Sequence, residues 1–292
     1  MVLQKFFVTF GIFVTGSDAT RSKITDKLSS HGIFVSIGHE TNLVKKADLV
    51  VYTAAISSDD PELVEARNNN IPTVERADFV GYLTRIYKNT IGIAGTHGKT
   101  TTTSMVSLCF IEAGLDPTIQ VGAMLKQING NHRVGNSDYF ILESCEYVES
   151  FLKFSPKSTI VLNIDNDHLD YFRDLDHIRS AFQKYVGLLP YDGLLVVNAD
   201  DENCLDLRNH SDAKAVTYSI KNPYANFRAK CISFDKNGFP KFDVYLNGNF
   251  YSTIKLSVAG MHNISNALAC IAICNCYGIP KTDIFVDCLV LT

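Results

Sequence analysis

The stretch "TIGIAGTHGKTTTTSM", residues 90–105, constrains this chain more than any other. A short apolar run leads into a turn carrying Gly95 and Gly98. Lys99 and Thr100 follow, and a helix is predicted over residues 100–113, stopped by Gly114 with Pro117 beyond it. Strand, glycine turn and helix N-terminus together make an anion site, because backbone N–H groups point outward and the helix dipole favours negative charge. The spacing G-T-H-G-K-T is shorter than the usual G-x-x-x-x-G-K-[ST], since the position five before Gly98 is Ile93. Gly95 and Gly98 let the backbone wrap a phosphate. Lys99 supplies a point charge for terminal phosphates, and Thr100 a hydroxyl for a magnesium ion. A chance G-K-T in a loop lacks the strand before and the helix after, so a nucleotide site is expected.

The surrounding pattern places this loop inside a parallel sheet. From about residue 12 to 87, apolar runs ("IFVTGSD", "GIFVSIG", "ADLVVYTAAI", "IPTVERA") alternate with helical stretches, which predicts parallel βαβ units. Asp60 before Pro61 marks one helix start, an N-cap followed by proline at the first position. The junction is expected at residues 88–90, dividing the 292 residues into domains at 1–88 and 89–292. Beyond the loop, "DYFILES", "STIVLNIDNDHLD" and "GLLVVNADD" read as strands, and "HIRSAFQKYVGLLP" as a helix closed by Gly187 and Pro190. Residues 213–258 carry the turns "DKNG" and "LNGN" between alternating strands, which predicts a small antiparallel sheet. The run "GMHNISNALACIAICNCYG" restores a helix.

Magnesium takes hard oxygen ligands. Glu143 ends the strand read as following the loop's helix, and His168 lies in "NIDNDHLD", just past the next strand. Side chains at the carboxyl ends of neighbouring parallel strands converge, so both are candidate metal ligands beside Thr100. Asp165, Asp167 and Asp170 flank His168, some of them as solvated loop carboxylates.

Composition excludes other classes. A net charge of −4 gives no basic footprint for nucleic acid. No apolar run approaches the ~18 residues of a membrane span. "MVLQKFFVTFGIFVTGSDA" reads as a buried strand ending near Gly16 and Asp18 rather than as a signal peptide. Eight scattered cysteines without a C-x-x-C pair suit a reducing cytoplasm. Cys270, Cys274 and Cys276, in one apolar helix, read as buried thiols in preference to a metal site.

Taken in order, "VTGSD", Gly38 with His39, "DLVVYTAAI", "DPELVEAR", "IPTVERA", "GTHGKTTTTSM", "ILESCEYVESFLKFSP", "VLNIDNDHLDYF", "VVNADD" and "GMHNISNALACIAI" resemble the Mur ligase family over almost the whole chain. The resemblance implies an α/β fold: an incomplete Rossmann-like N-terminal domain, then a P-loop-type ATP-binding central domain. It implies ATP and Mg2+, with Gly95, Thr96, His97, Gly98, Lys99, Thr100 and Thr101 on the phosphates. Thr100, Glu143 and His168 match the metal-ligand positions, and Asn263 and Asn266 those that meet the adenine. Asp18, His39, Thr53 and Ala54 match the rim of the UDP-sugar pocket. The branch it resembles most adds L-alanine to UDP-N-acetylmuramate through an acyl phosphate. A carbamylated lysine found in other branches would fall near Phe182, with Lys184 nearby, and the alanine-adding branch is understood to lack it. A tripeptide-recycling ligase and a non-catalytic nucleotide-binding remnant stay open as alternatives. Set beside the family, the chain reads as cut at both ends. An opening strand with a "GIGG"-type turn and a carboxy-terminal amino-acid-binding domain are expected outside it, and little ligase activity is expected of the chain alone.

Overall fold

The computed structural model describes residues 11–285. Cys288 and most of the apolar run before residue 11 lie outside them. The chain forms two compact units, residues 1–83 and 84–292.

In the first unit, β1 (Thr15–Asp18) pairs in parallel with β2 (Phe34–Ile37), and β3 (Val50–Tyr52) with β4 (Thr73–Glu75). These are two separate two-stranded sheets. Between β1 and β2 runs α1 (Lys23–Ser30), whose Ser22 and Thr25 form a reciprocal capping box. A short α2 (Thr41–Val44) and then α3 (Pro61–Asn68) follow. Asp60 caps α3 by accepting from the N–H groups of Glu62 and Leu63, with Pro61 in the first turn, so the sequence signal located this end correctly. Helix α4 (Arg76–Ile86) runs across the boundary between the units.

The second unit is built on a ten-stranded sheet. Its strands are β5 (Asn89–Ala94), β6 (Thr118–Leu125), β7 (Gly130–Arg133), β8 (Tyr139–Glu143), β9 (Ser158–Val161), β10 (Leu194–Asn198), β11 (Lys214–Ser219), β12 (Phe227–Phe234), β13 (Pro240–Leu246) and β14 (Asn249–Lys255). The order is β14-β13-β12-β11-β10-β9-β5-β8-β6-β7, antiparallel only at β14-β13, β13-β12 and β6-β7. Two expectations are corrected here. The antiparallel strands of residues 213–258 are not a separate small sheet, because β12 pairs in parallel with β11 and extends the main sheet. Nor does Glu143 end the first strand after the loop's helix, since β6 and β7 intervene; β8 nevertheless lies directly beside β5. The turn between β13 and β14 places Asn247 at φ 48° and Gly248 at φ 85°, the two left-handed residues that a tight Asn-Gly hairpin demands.

The helix after the loop is α5 (Lys99–Glu112), in which every residue from Thr102 to Phe110 is buried. A helix apolar or buried all round belongs inside a layer rather than on a surface. It packs with α8 (Met261–Cys276) over one sheet face, while α6 (Leu175–Val186) and α7 (Glu202–Asp206) come between β9 and β11 in the chain, and α9 (Lys281–Phe285) follows α8. Ile91, Ile93, Val106, Phe110, Ile264, Leu268 and Ile271 are completely buried in that core. Cys109 of α5 and Cys270 of α8 bring their sulfurs to 3.6 Å, and Cys274 lies 3.9 Å from Cys270. Cys276 is exposed. The buried thiol group is therefore Cys109, Cys270 and Cys274, not the trio within one helix.

Because side chains alternate along a strand, Gly92 faces the opposite layer from Ile91 and Ile93. There Tyr185 of α6 is fully buried, donates to Ser144 Oγ at 2.9 Å, and lies 3.2 Å from Thr159 Oγ1, which donates to the Gly92 carbonyl at 2.9 Å. Burial raises the Tyr185 phenol above its ordinary range, against hydrogen bonds that lower it. A methyl at Gly92 would collide with the Tyr185 hydroxyl and stand 2.6 Å from Ser144 Oγ. Gly92→Ala is expected to destabilise the chain by about 1–3 kcal/mol, the usual range for overpacking, as read by urea denaturation. Adding Tyr185→Phe should recover part of that loss; no recovery would place the strain elsewhere.

Candidate functional site

Strand β5 lies between β8 and β9, and the chain leaves it in opposite directions: outward to β6 and back through β8, then across to β9 and β10. That is the topological switch point of a parallel sheet, where ligands bind beyond the carboxyl ends of the strands. Residues 95–98 emerge there. Gly95 has φ 134° and Gly98 φ 86°. A Cβ on Gly95 would press on the backbone nitrogens of Leu162 and Asn163 at 3.1 Å, and one on Gly98 would stand 2.7 Å from Asn266 Oδ1. Both glycines are thus required by conformation and by space.

The turn is held from β9's end. The Thr96 N–H donates to the Asn163 carbonyl at 3.1 Å, and the His97 N–H donates to Asn163 Oδ1 at 2.7 Å. Asn163 Nδ2 returns a bond to the His97 carbonyl at 3.0 Å, and the Asp165 N–H donates to Thr96 Oγ1 at 2.9 Å. Gly98 caps α5 with no side-chain hydrogen bond. The first N–H groups of a helix have no partner within it, and here they open on a cleft of about 270 Å³ lined by Thr96, His97, Gly98, Lys99, Thr100 and Thr101.

Lys99 turns back over the loop. Its Nζ donates to the Gly95 carbonyl at 2.5 Å and the Thr96 carbonyl at 3.1 Å, and to both carboxylate oxygens of Glu146 at 3.0 Å. The Glu146 side chain is 2% exposed and that of Lys99 15%. His168 brings Nε2 to 3.8 Å from Glu146 Oε1 and packs against Tyr147, the two rings tilted by 42° with centroids 4.8 Å apart. Tyr147 donates to Asp170 at 2.8 Å, and that acceptor raises its phenol above the ordinary range. Glu143, at the end of β8, accepts from the Gly122 N–H of β6. Asn263 and Asn266 open α8, both buried; Asn263 donates to the Ala259 carbonyl at 2.8 Å and Asn266 to Asn263 Oδ1 at 3.1 Å. The structure therefore brings Glu146 to Lys99, His168 to Glu146 and Asn266 to Gly98 of the loop.

Two residues here went unread in the sequence. Asn163 had a signal, being the first polar residue after β9, beside the loop. Glu146 lies in the irregular "SCEYVE" segment, which has no period to reveal its direction; Val148 and Glu149 there have φ 47° and 53°. Phe182 is fully buried against Phe151, ring centroids 5.2 Å apart, and Lys184 pairs with Glu149 at 3.3 Å.

In the first unit, Asp18 Oδ1 accepts from the Thr20 N–H at 3.1 Å and its carbonyl from Gly38 N–H at 2.8 Å. His39 Nδ1 lies 3.5 Å from Asp60 Oδ2. Glu62 accepts from the Glu40 N–H at 2.7 Å and from the Ser17 hydroxyl at 2.5 Å, tying together the ends of β1 and β2. Thr53 and Ala54 are exposed just past β3.

A glycine-wrapped helix N-terminus with an attendant lysine, at a switch point, defines an α/β protein of the P-loop kind. The Mur ligase middle domain matches residues 93–274, and the Mur ligase family catalytic domain residues 2–88. The chain belongs to the Mur ligase family. It is 47% identical over 94% of its length to the UDP-N-acetylmuramate–L-alanine ligase of Acetivibrio thermocellus, and 48% identical over 94% to that of Clostridium tetani. It spans 59% and 60% of those relatives. Among solved structures it is similar to UDP-N-acetylmuramate-alanine ligase from Thermotoga maritima, with TM-score 0.85 and 31% identity over 99% of this chain and 64% of that one. The UDP-N-acetylmuramate:L-alanyl-gamma-D-glutamyl-meso-diaminopimelate ligase from Neisseria meningitides gives TM-score 0.82 at 25% identity, covering 98% and 90%.

If the close approach of Gly98 to Asn266 fixes the loop, Gly98→Ala should cost stability by about 1–2 kcal/mol from the left-handed backbone alone. Chemical denaturation reads this. An unchanged midpoint would contradict the tight packing.

Proposed function

We propose that this chain carries the ATP-binding and UDP-sugar-binding parts of a ligase that joins L-alanine to UDP-N-acetylmuramate in peptidoglycan precursor synthesis. Residues 89–292 would form the ATP-binding central domain and residues 1–88 the UDP-sugar-binding domain. The observation that carries the reading is Lys99, held at a helix N-terminus over a cleft of phosphate size, with acidic and imidazole side chains beside it. Identity of 47–48% to alanine-adding relatives, against 25% to the tripeptide-adding structure, favours alanine as the amine. The absence of a helix long and apolar enough to cross a membrane, among the described residues, is consistent with cytoplasmic chemistry on soluble nucleotides.

A carboxylate is a poor acyl donor because its leaving group is poor. Transfer of the ATP γ-phosphoryl group to the muramate carboxylate makes an acyl phosphate; the alanine amine attacks it, and phosphate leaves. The chain's share is positional and electrostatic. The N–H groups after Gly98 and the glycine turn hold the phosphates, Lys99 offsets the repulsion between two approaching anions, and Asn163 fixes the turn. Asn263 and Asn266 are the proposed adenine contacts. Thr100, Glu143 and His168 would hold Mg2+, the hydroxyl and the carboxylate as its hard oxygen donors, with Glu143 keeping one oxygen on the Gly122 N–H and offering the other; the ion would supply charge neutralisation between phosphate and carboxylate. Asp18, His39, Thr53 and Ala54 are the proposed rim of the sugar-nucleotide pocket.

Hydrogen bonds from a charged donor are worth about 1.5–3 kcal/mol, so Lys99→Ala should weaken MgATP binding ~10- to 100-fold. Titration calorimetry measures this, with circular dichroism to verify the fold. Equal affinity in both proteins would remove the phosphate assignment.

A further inference from the structure

The lysine that the proposed function needs for the phosphates is already occupied. Lys99 Nζ sits 3.0 Å from each oxygen of Glu146, a carboxylate 2% exposed. The other acceptors it meets, the carbonyls of Gly95 and Thr96, belong to the loop itself. Glu146 is therefore its anionic partner, and it arrives from the segment after β8, outside the loop. Two carboxylate oxygens placed around one ammonium mimic the pair of oxygens that a phosphoryl group presents. Both are anions, and like charges do not share a site at this range without one of them being driven out or neutralised.

We propose that Glu146 is a built-in counter-ion of Lys99, holding it until the terminal phosphate of ATP takes the carboxylate's place. This rests on the loop being an ATP site. The geometry adds a reason for the carboxylate to be displaceable. Just past it, Val148 and Glu149 are consecutive left-handed residues, one of them β-branched. Such a conformation is strained and persists only where its surroundings hold it. Among the contacts that hold it are Glu149 N–H to the Glu146 carbonyl at 2.8 Å, Phe151 N–H to the Cys145 carbonyl at 3.1 Å, Lys184 to the Glu149 carboxylate at 3.3 Å, the Tyr147 hydroxyl to Asp170 at 2.8 Å and the Ser150 hydroxyl to the Tyr147 carbonyl at 2.9 Å. A segment carrying strain on one side and an ion pair on the other rearranges when the pair is exchanged. His168 Nε2 lies 3.8 Å from the same carboxylate.

The exchange predicts a nucleotide preference that a plain binding residue would not give. ATP brings both the β- and γ-phosphates that a loop lysine meets, and ADP only the β, so the exchange with Glu146 goes further with ATP. Glu146→Gln keeps size and one acceptor oxygen but removes the competing charge. It should tighten MgATP binding ~10-fold, the equivalent of ~1.4 kcal/mol, and change MgADP binding by less than about threefold, half a decade on the same scale. Loss of ATP affinity, or the same gain for ADP as for ATP, overturns the proposal. The pair is also read without nucleotide. Lys99→Ala strands a buried carboxylate, so Lys99→Ala/Glu146→Gln should unfold at higher urea than Lys99→Ala; equal midpoints, or a lower one for the double variant, overturn it. A wild-type chain that binds neither nucleotide would defeat the ATP-site reading, while the urea comparison still decides whether Glu146 neutralises Lys99.

Discussion

The second unit is organised by one backbone constraint, the left-handed turn at Gly98 between β5 and α5. It delivers a helix N-terminus to the end of the strand at which the sheet reverses direction. Neighbours fill the space a side chain would need at both glycines of the turn, with the end of β9 against Gly95 and the start of α8 against Gly98. The turn is thus fixed by two elements remote in sequence. A phosphate site of this kind needs no large apolar pocket; it needs unpaired N–H groups facing one way and a backbone that does not move.

That arrangement concentrates positive charge, which the chain must balance when nothing is bound. Lys99 and Glu146 form a largely buried pair. Removing one member of such a pair commonly costs about 3–5 kcal/mol, because the charge left behind is uncompensated, although the intact pair adds little net stability. The pair is better understood as a device for keeping the lysine in place than as a source of folding energy. Beneath it, the Gly92, Tyr185, Ser144 and Thr159 cluster satisfies buried hydroxyls and supports β5 from the other face.

Much of this was legible before any coordinates. The loop, its strand and its helix were readable because glycine, lysine and apolar runs report local backbone directly. Asp60 with Pro61 marked a helix start for the same reason. Less was legible where the answer is tertiary. Strand β7 is short and β6 pairs with it irregularly, and nothing local distinguishes the two from a loop. The antiparallel strands of residues 213–258 were seen, but their union with the main sheet depends on the β11–β12 pairing, which no local pattern encodes. Glu143 was chosen for its place at a strand end. In the structure that carboxylate caps the Gly122 N–H, and it is Glu146, three residues on and past the strand's regular geometry, that meets Lys99. Cys109 joined Cys270 and Cys274 because two helices meet, whereas Cys276 falls on the exposed side.

The account makes Lys99 the point where protein charge is exchanged for phosphate charge, and a structure of the chain with Mg2+ and a non-hydrolysable ATP analogue tests it most directly. The predicted result is a terminal phosphate against Lys99 Nζ with Glu146 withdrawn from it. A bound nucleotide that leaves the Lys99–Glu146 pair intact, with its phosphates away from residues 95–101, would contradict it.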